Sequence, residues 1–252
     1  MKDKTGEIRE NTNGTKMKII KYIRSDNIFV EFQDEYKYVV NCQYKEFKLG
    51  KIKNPYDKKV FAIGYLGVGN HLPYKDKEKT NVYNCWVRML QRCYSEEYQI
   101  HKPTYENKYV CEEWHCFQNF ADWFDKNYYE INELGKTELD KDILIKGNTV
   151  YSPTTCIFVP KRINQLFLKS NASRGYFPIG VSENSDCNSF RSRLHTLKGE
   201  IYLGSFSDKF EAHTKYKIAK EKYIKEVAED YKAKIPEKLY NAMINYIVEI
   251  TD

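Results

Sequence analysis

The sequence predicts an α+β protein of more than one domain. Runs in which apolar and polar residues alternate occur near both ends of the chain, at residues 27–32 and 189–195, and such alternation is typical of half-buried strands. Apolar residues spaced by three and four recur over residues 81–95 and 110–126, which indicates amphipathic helices. A chain of 252 residues has room for about one to three domains.

The N-terminal part is predicted to be a small β-module. Residues 1–15 are polar and lack periodicity, so we expect a loose N-terminus there. Residues 16–55 resemble a small β-barrel or β-meander of SH3-like size, which residues 44–55 close. Such a module could bind nucleic acid, dock another protein or act as a structural cap. Its strand-like runs are residues 17–23, 27–32 and 36–42.

Residues 56–168 are predicted to form a central domain. A hairpin is expected over residues 137–151, with its turn at 146–148. Ser152 followed by Pro153 is typical of a helix start, so a short helix is expected next. The two helical stripes before the hairpin are expected to be core, and they contain Trp86, Met89, Leu90, Cys93, Trp114, Phe117, Phe120, Ala121 and Phe124.

A glycine-rich stretch at residues 61–69 does not predict a nucleotide site. A phosphate-binding loop leads directly into a helix, whereas His71, Leu72 and Pro73 follow here. We therefore expect no small-molecule cofactor.

Residues 169–235 are predicted to hold a polar linker, three short strands and one long helix. The helix begins after Ser207, and Lys217, Lys220 and Lys225 lie off its apolar stripe. Pro236 ends it, and residues 236–252 form a terminal helix. In the middle strand Phe190, Ser192 and Leu194 point one way, and Arg191, Arg193 and His195 point the other.

Charge and cysteine content narrow the class of protein. The excess of lysine and arginine over residues 161–235 equals the +6 net charge of the whole chain, so the C-terminal part suits a polyanion. Residues 104–142 are acidic, which suits a metal or a solvated face. Seven cysteines, no signal peptide and no apolar run near the ~18 residues of a membrane span predict reduced thiols in a cytoplasmic protein without a membrane partner.

The strand and helix residues of the C-terminal part also form an ordered pattern, which ends in an LGxF turn and an acidic, alanine-containing helix start. The pattern resembles the AP2 DNA-binding domain over roughly 50 residues. The resemblance implies a three-stranded sheet that lies in the major groove of double-stranded DNA. Its members are Gly180, Val181, Phe190, Arg191, Arg193, residues 201–206, Glu211 and Ala212.

By position in the AP2-like pattern, Arg191, Arg193, His195 and Tyr202 would touch bases and phosphates. Ser182 stands where that family often has arginine.

A second ordered pattern runs from Trp86 to Asn164. It resembles phage proteins related to HNH homing endonucleases, in which AP2 domains also occur. The resemblance implies a hairpin-plus-helix (ββα-metal) fold that holds one divalent metal. The pattern consists of Trp86, Met89, residues 92–94, 109–114, Phe117, Phe120, residues 139–142, Gly147, Asn148, residues 151–153, Cys156 and Asn164.

This second resemblance implies a catalytic site on the hairpin. Asp140 and Asp142 would share Mg²⁺ or Mn²⁺, since alternate strand residues point the same way. Asn148 is either a third oxygen ligand or a turn residue. Lys141 occupies the position of the expected histidine, and Thr155 that of a helix asparagine. His115 is a possible substitute base.

Two functions from different classes follow. The first is a metal-dependent DNA endonuclease or nickase, with phosphates held by Lys161, Arg162 and Arg174. The second is a degenerate nuclease fold, which Lys141 and Thr155 motivate, acting as a DNA-binding regulator or as an inhibitor of a host defence protein. RNA binding through the N-terminal tyrosines is a weaker third possibility.

Three cysteines coincide with cysteines of the HNH-like pattern, namely Cys93, Cys111 and Cys156. They are either reduced core residues or the ligands of a split Zn²⁺ site, which would need about four ligands.

Overall fold

The computed structural model describes residues 3–168, 176–184, 188–250 and 252. The chain divides into two compact units, residues 1–124 and 125–252. Each unit contains both helices and strands, so the predicted α+β class is confirmed. The division falls inside the segment 56–168, which the sequence suggests is one domain.

The N-terminal sheet is an antiparallel meander of four strands in chain order. The strands are β1 (Ile8–Glu10), β2 (Lys16–Arg24), β3 (Asn27–Phe32) and β4 (Val39–Cys42). The alternation that predicts β3 is present, because every second residue of this strand is buried. The inner face forms a core with Met17, Ile19, Ile28, Val30, Phe32, Phe47 and Ile52.

One expectation for this module is wrong. Residues 3–15 are not loose, because β1 pairs with β2 and the buried Asp57 carboxylate accepts hydrogen bonds from Asn11, Asn13 and Thr15. The segment after β4 begins with helix α1 (Tyr44–Lys48). This helix packs on the core through Phe47, and burial of such a ring stabilises the fold by about 1.5–3 kcal/mol.

The rest of the first unit is mainly helical. Helix α2 buries its predicted stripe, and the Thr80 hydroxyl caps it by accepting from the Tyr83 N–H. The regular helix α4 begins at Phe117, because Trp114 belongs to a 3₁₀ turn at Glu112–His115. The elements are β5 (Tyr74–Lys75), β6 (Glu78–Lys79), α2 (Asn81–Tyr94), α3 (Glu96–His101), β7 (Tyr109–Val110) and α4 (Phe117–Asn127).

In the second unit, the expected hairpin at residues 137–151 does not form. Strand β8 (Thr137–Asp140) pairs with β10 (Ile157–Pro160), while β9 (Val150–Tyr151) lies between them in sequence. The strand ends at Asp140 because its side chain turns back onto the backbone N–H groups of Asp142 and Ile143. Strand β8 therefore pairs with residues 157–160, which are all buried and offer more apolar surface than the short strand β9.

The helix expected at Ser152 is also absent. The Ser152 hydroxyl accepts from the Thr155 N–H and closes a single turn. Strand β10 follows almost at once, because Ile157, Phe158 and Val159 favour an extended chain. The helical residues come after β10, as α5 (Lys161–Asn164) and a 3₁₀ turn at Gln165–Phe167.

The predicted C-terminal sheet and helix are present. Strands β11 (Val181–Asn184), β12 (Ser189–Thr196) and β13 (Gly199–Phe206) form an antiparallel meander. Helix α6 (Lys209–Tyr231) packs on β12 and β13. Asp208 is its N-cap, and the carboxylate accepts from the N–H groups of Phe210 and Glu211.

Helix α6 is buried on more than one side. It shares a core with residues of the 131–166 segment and with the terminal helix α7 (Glu237–Ile244). Lys220 is therefore buried, with 6% of its surface exposed, although it lies off the apolar stripe that the sequence predicts. The helix residues of the shared core are Ile224, Val227 and Ala228, and those of α7 are Leu239 and Met243.

Candidate functional site

The outer face of the C-terminal sheet brings together the residues predicted to bind DNA. Ser192 and Leu194 are buried on the inner face, as the alternation predicts. Across the β12–β13 pair, Arg193 lies opposite Tyr202. Residues directly opposite in an antiparallel pair share a face, so both lie on the outer face with Arg191 and His195. Tyr202 is 60% exposed.

A β-bulge places Tyr202 on this face. Ser192 pairs with Gly204 but Arg193 pairs with Tyr202, so Leu203 is the extra residue of β13. Without the bulge, the regular ladder would place Tyr202 opposite Leu194, and its side chain would point inward. Gly204 has φ 130°, a conformation that side chains disfavour, which explains the glycine of the LGSF sequence; this sequence lies within β13 and does not form the expected turn.

An acidic residue that the sequence does not single out lies among the arginines. Glu200 accepts from the Arg193 guanidinium at 3.2 Å and lies 3.3 Å from Nε2 of His195. Arg191 donates to the Asn184 side chain. Exposed ion pairs are worth about 0–1 kcal/mol, so a phosphate could displace Glu200 at small cost.

The structure describes two of the other three residues that are predicted to bind phosphate. Lys161 is exposed at the start of α5. The Arg162 guanidinium donates to the carbonyl oxygens of Glu133 and Leu197, so this side chain bridges two backbone segments. Arg174 lies outside the described residues.

The loop from Asp140 to Asn148 brings together the four predicted catalytic residues. Lys141 is 5% exposed, and its Nζ donates to Asp142 Oδ2 at 2.6 Å and to the Asn148 carbonyl at 2.9 Å. Nζ also lies 5.9 Å from the centre of the Tyr151 ring. Asn148 donates through Nδ2 to the carbonyls of Lys141 and Val150, so it acts as a turn residue.

This arrangement does not fit a cation shared by Asp140 and Asp142. Asp140 accepts two backbone N–H bonds at 2.7 and 2.8 Å, and Asp142 is paired with the Lys141 ammonium. Burial raises the pKa of Asp140, which the two backbone hydrogen bonds partly offset. A protonated amine is no metal ligand, and the strand geometry expected for the two carboxylates ends at Asp140.

The remaining HNH-like positions are also engaged. Thr155 donates to the Val150 carbonyl at 2.8 Å. Asn164 donates to Glu138 Oε2 at 3.0 Å, which joins α5 to β8 through an acidic residue that the sequence does not single out. His115 Nε2 lies 3.1 Å from the Val110 carbonyl, and burial lowers the pKa of this imidazole.

The cysteines show core burial. Cys93 and Cys156 are buried, and Cys111 is half-buried with a pKa raised by burial. A thiolate is the form that binds zinc, so a raised pKa disfavours coordination. Within residues 3–168, 176–184, 188–250 and 252, no group of three or more histidine, cysteine and acidic side chains is placed to hold a metal ion.

Comparison of the chain with protein-family models, with curated proteins and with solved structures finds no match in any of the three. None of the helices in the described parts of the chain has the length and apolar character that crossing a membrane requires.

Proposed function

We propose that this protein binds double-stranded DNA through the outer face of β11–β13. The observation that carries the proposal is the set Arg191, Arg193, His195 and Tyr202 on the outer face of a sheet whose other face is packed on α6; His195 and Tyr202 are exposed, and the two arginines are half-buried. A β-sheet ribbon fits the width of the major groove, where arginine reads guanine edges and contacts phosphates. Tyrosine adds an apolar contact and a hydroxyl.

Fluorescence anisotropy of the full chain with labelled duplexes, at several salt concentrations, tests this proposal. Arg193→Ala is expected to weaken binding about tenfold and to reduce the salt dependence, because one charged contact is removed. The matched control is Arg24→Ala, which removes an arginine that also forms an exposed ion pair, with Asp26 at 2.6 Å. Equal losses in the two variants would contradict the proposal.

A second candidate is an HNH-like DNA endonuclease or nickase that uses Mg²⁺ or Mn²⁺. It is supported by the order β8, loop, β10, α5, which is the strand–strand–helix order that the HNH resemblance implies. Asp140 would be the residue nearest to such a role, since it ends β8 on the loop. A metal would supply stabilisation of the leaving oxygen.

Supercoiled plasmid incubated with the protein and each of the two metals tests the second candidate. An endonuclease would nick the plasmid, and Asp140→Asn would abolish nicking while duplex affinity stays within about twofold. Intact plasmid under both metals, with duplex binding retained, would defeat it and leave a DNA-binding protein without cleavage.

A further inference from the structure

A cavity of about 880 Å³ lies in the second unit, beside the edge of β12 and against α6. This volume is in the range of sites that take small ligands, roughly 300–1,000 Å³. The aromatic rings of Phe177 and Tyr216 line part of the wall. Its charged and titratable lining residues are Arg162, Arg193, Lys220, His195, Glu183 and Glu200.

Lys220 is the unusual residue of this wall. It is 6% exposed, and no carboxylate or hydrogen-bond acceptor contacts its ammonium in the described part of the chain. Its contact is the Tyr216 ring, whose centre lies 5.9 Å from Nζ. Burial lowers the pKa of Lys220 to about 8. A buried cation of this kind is costly unless an anion joins it.

The other formal charges of the wall cancel, because Arg162 and Arg193 are matched by Glu183 and Glu200, so the excess positive charge is that of Lys220. Arg162 bonds to carbonyl oxygens, so within the described residues no acidic group neutralises it. Glu200 is shared by Arg193 and His195. Glu183 is the remaining acidic residue, on the exposed strand β11.

We propose that this cavity binds a phosphate group, with Lys220 as its buried anchor and Arg162 as a second donor. A phosphate offers several acceptor oxygens and enough charge to compensate a buried ammonium. The phosphate belongs either to a free phosphomonoester of mononucleotide size or to a nucleic-acid strand. This inference stands on the cavity and Lys220, and does not require the outer face of the sheet to bind DNA.

Spectra of the full chain labelled with ¹³C-lysine test the proposal. The Lys220 signal is assigned by its loss in Lys220→Met, and its pH titration is recorded alone and with inorganic phosphate, thymidine monophosphate or thymidine. Phosphate and thymidine monophosphate are expected to raise the pKa of Lys220, because an anion favours the charged amine. Uncharged thymidine is expected to leave it unchanged.

Affinity measurements provide the matched comparison. Lys220→Met is expected to weaken thymidine monophosphate binding about tenfold or more, since a charge-assisted hydrogen bond is lost. Lys215→Met, which removes an exposed lysine of the same helix, should leave it unchanged. Thermal unfolding of both variants confirms that they are folded.

A short duplex distinguishes the two sources of phosphate. If thymidine monophosphate raises the pKa of Lys220 and the duplex does not, the ligand is a free phosphomonoester. If the duplex also raises it and displaces thymidine monophosphate, the phosphate belongs to the strand. A Lys220 pKa that no phosphate-bearing probe changes, or equal affinity in Lys220→Met, would overturn the proposal.

Discussion

The C-terminal sheet and the loop from Asp140 to Asn148 contain the two groups of predicted functional residues, and the two groups differ in how accessible their side chains are. On the sheet, Arg191, Arg193 and Tyr202 lie on the outer face, where Tyr202 is exposed and the two arginines are half-buried. In the loop, Lys141 is buried, and its bonds hold the loop together. Alternation along a strand therefore identifies an accessible face, whereas residue order in a loop does not show which polar groups are already satisfied.

The largest expected effect compares one glycine from each region. Gly180 and Gly147 both have φ 78°, but a Cβ at Gly180 would lie 2.0 Å from the Tyr216 ring, whereas one at Gly147 meets nothing within 4 Å. Gly180→Ala should lower the free energy of unfolding by about 4 kcal/mol, and Gly147→Ala by about 1 kcal/mol. Chemical denaturation measures both. Equal losses would show that the sheet is not packed on α6 as described.

Lys141→Met compares the contribution of a loop side chain to stability with that of a side chain on the sheet. The substitution keeps the aliphatic stem but removes the ion pair with Asp142 and the bond to the Asn148 carbonyl. We expect a loss of about 2 kcal/mol in the free energy of unfolding, because the half-buried Asn148 carbonyl loses a charged donor. Arg193→Ala on the exposed face should cost under about 0.5 kcal/mol. A neutral Lys141→Met would remove the structural role assigned to this lysine.

Lys220→Met tests the burial of this lysine through the pH dependence of the free energy of unfolding. The folded pKa of about 8 lies below the ordinary 10.5, so the unfolded chain binds more protons between these values. The contribution of Lys220 therefore makes the folded state more stable as pH rises from about 8 to 10.5. Lys220→Met should be more stable than the natural chain near neutral pH, by up to about 3 kcal/mol, and the difference should shrink as pH rises from about 8 to 10.5. A pH-independent difference would contradict this account.

The smallest expected effect concerns Glu200. Glu200→Gln frees Arg193 and His195 from their acidic partner, and duplex affinity should rise about threefold. Glu183→Gln, on β11, is the matched control for net charge. Anisotropy titrations of the two variants separate a local release of Arg193 from a general change of charge, which would raise both affinities equally.

Much of the fold could be predicted because its signals are local. Alternation in β3 and β12 and the helical stripe of α2 each depend on neighbouring residues, and each matches the structure. The expected LGxF turn is wrong, because residues 203–206 lie within β13, beside its β-bulge. The pairing of β8 with β10 could not be predicted, because it depends on which distant segment offers the most apolar surface. Burial of Lys220 follows from α6 packing on two sides, which its own periodicity does not show.

The candidate site was predictable to a similar extent. The shared face of Arg191 and Arg193 follows from alternation, but the pairing of Arg193 with Glu200 depends on the strand register. The turn at Asp140 could be predicted from the sequence, because aspartate commonly accepts hydrogen bonds from the N–H groups just after it.

The most direct measurement of DNA binding by the sheet is an NMR titration of the arginine side-chain Nε–H signals with duplex DNA. The signals of Arg191 and Arg193 are expected to shift in a saturable manner, while that of Arg24, on the N-terminal sheet, stays in place. Saturable duplex binding that leaves Arg191 and Arg193 unchanged would contradict the proposed interface.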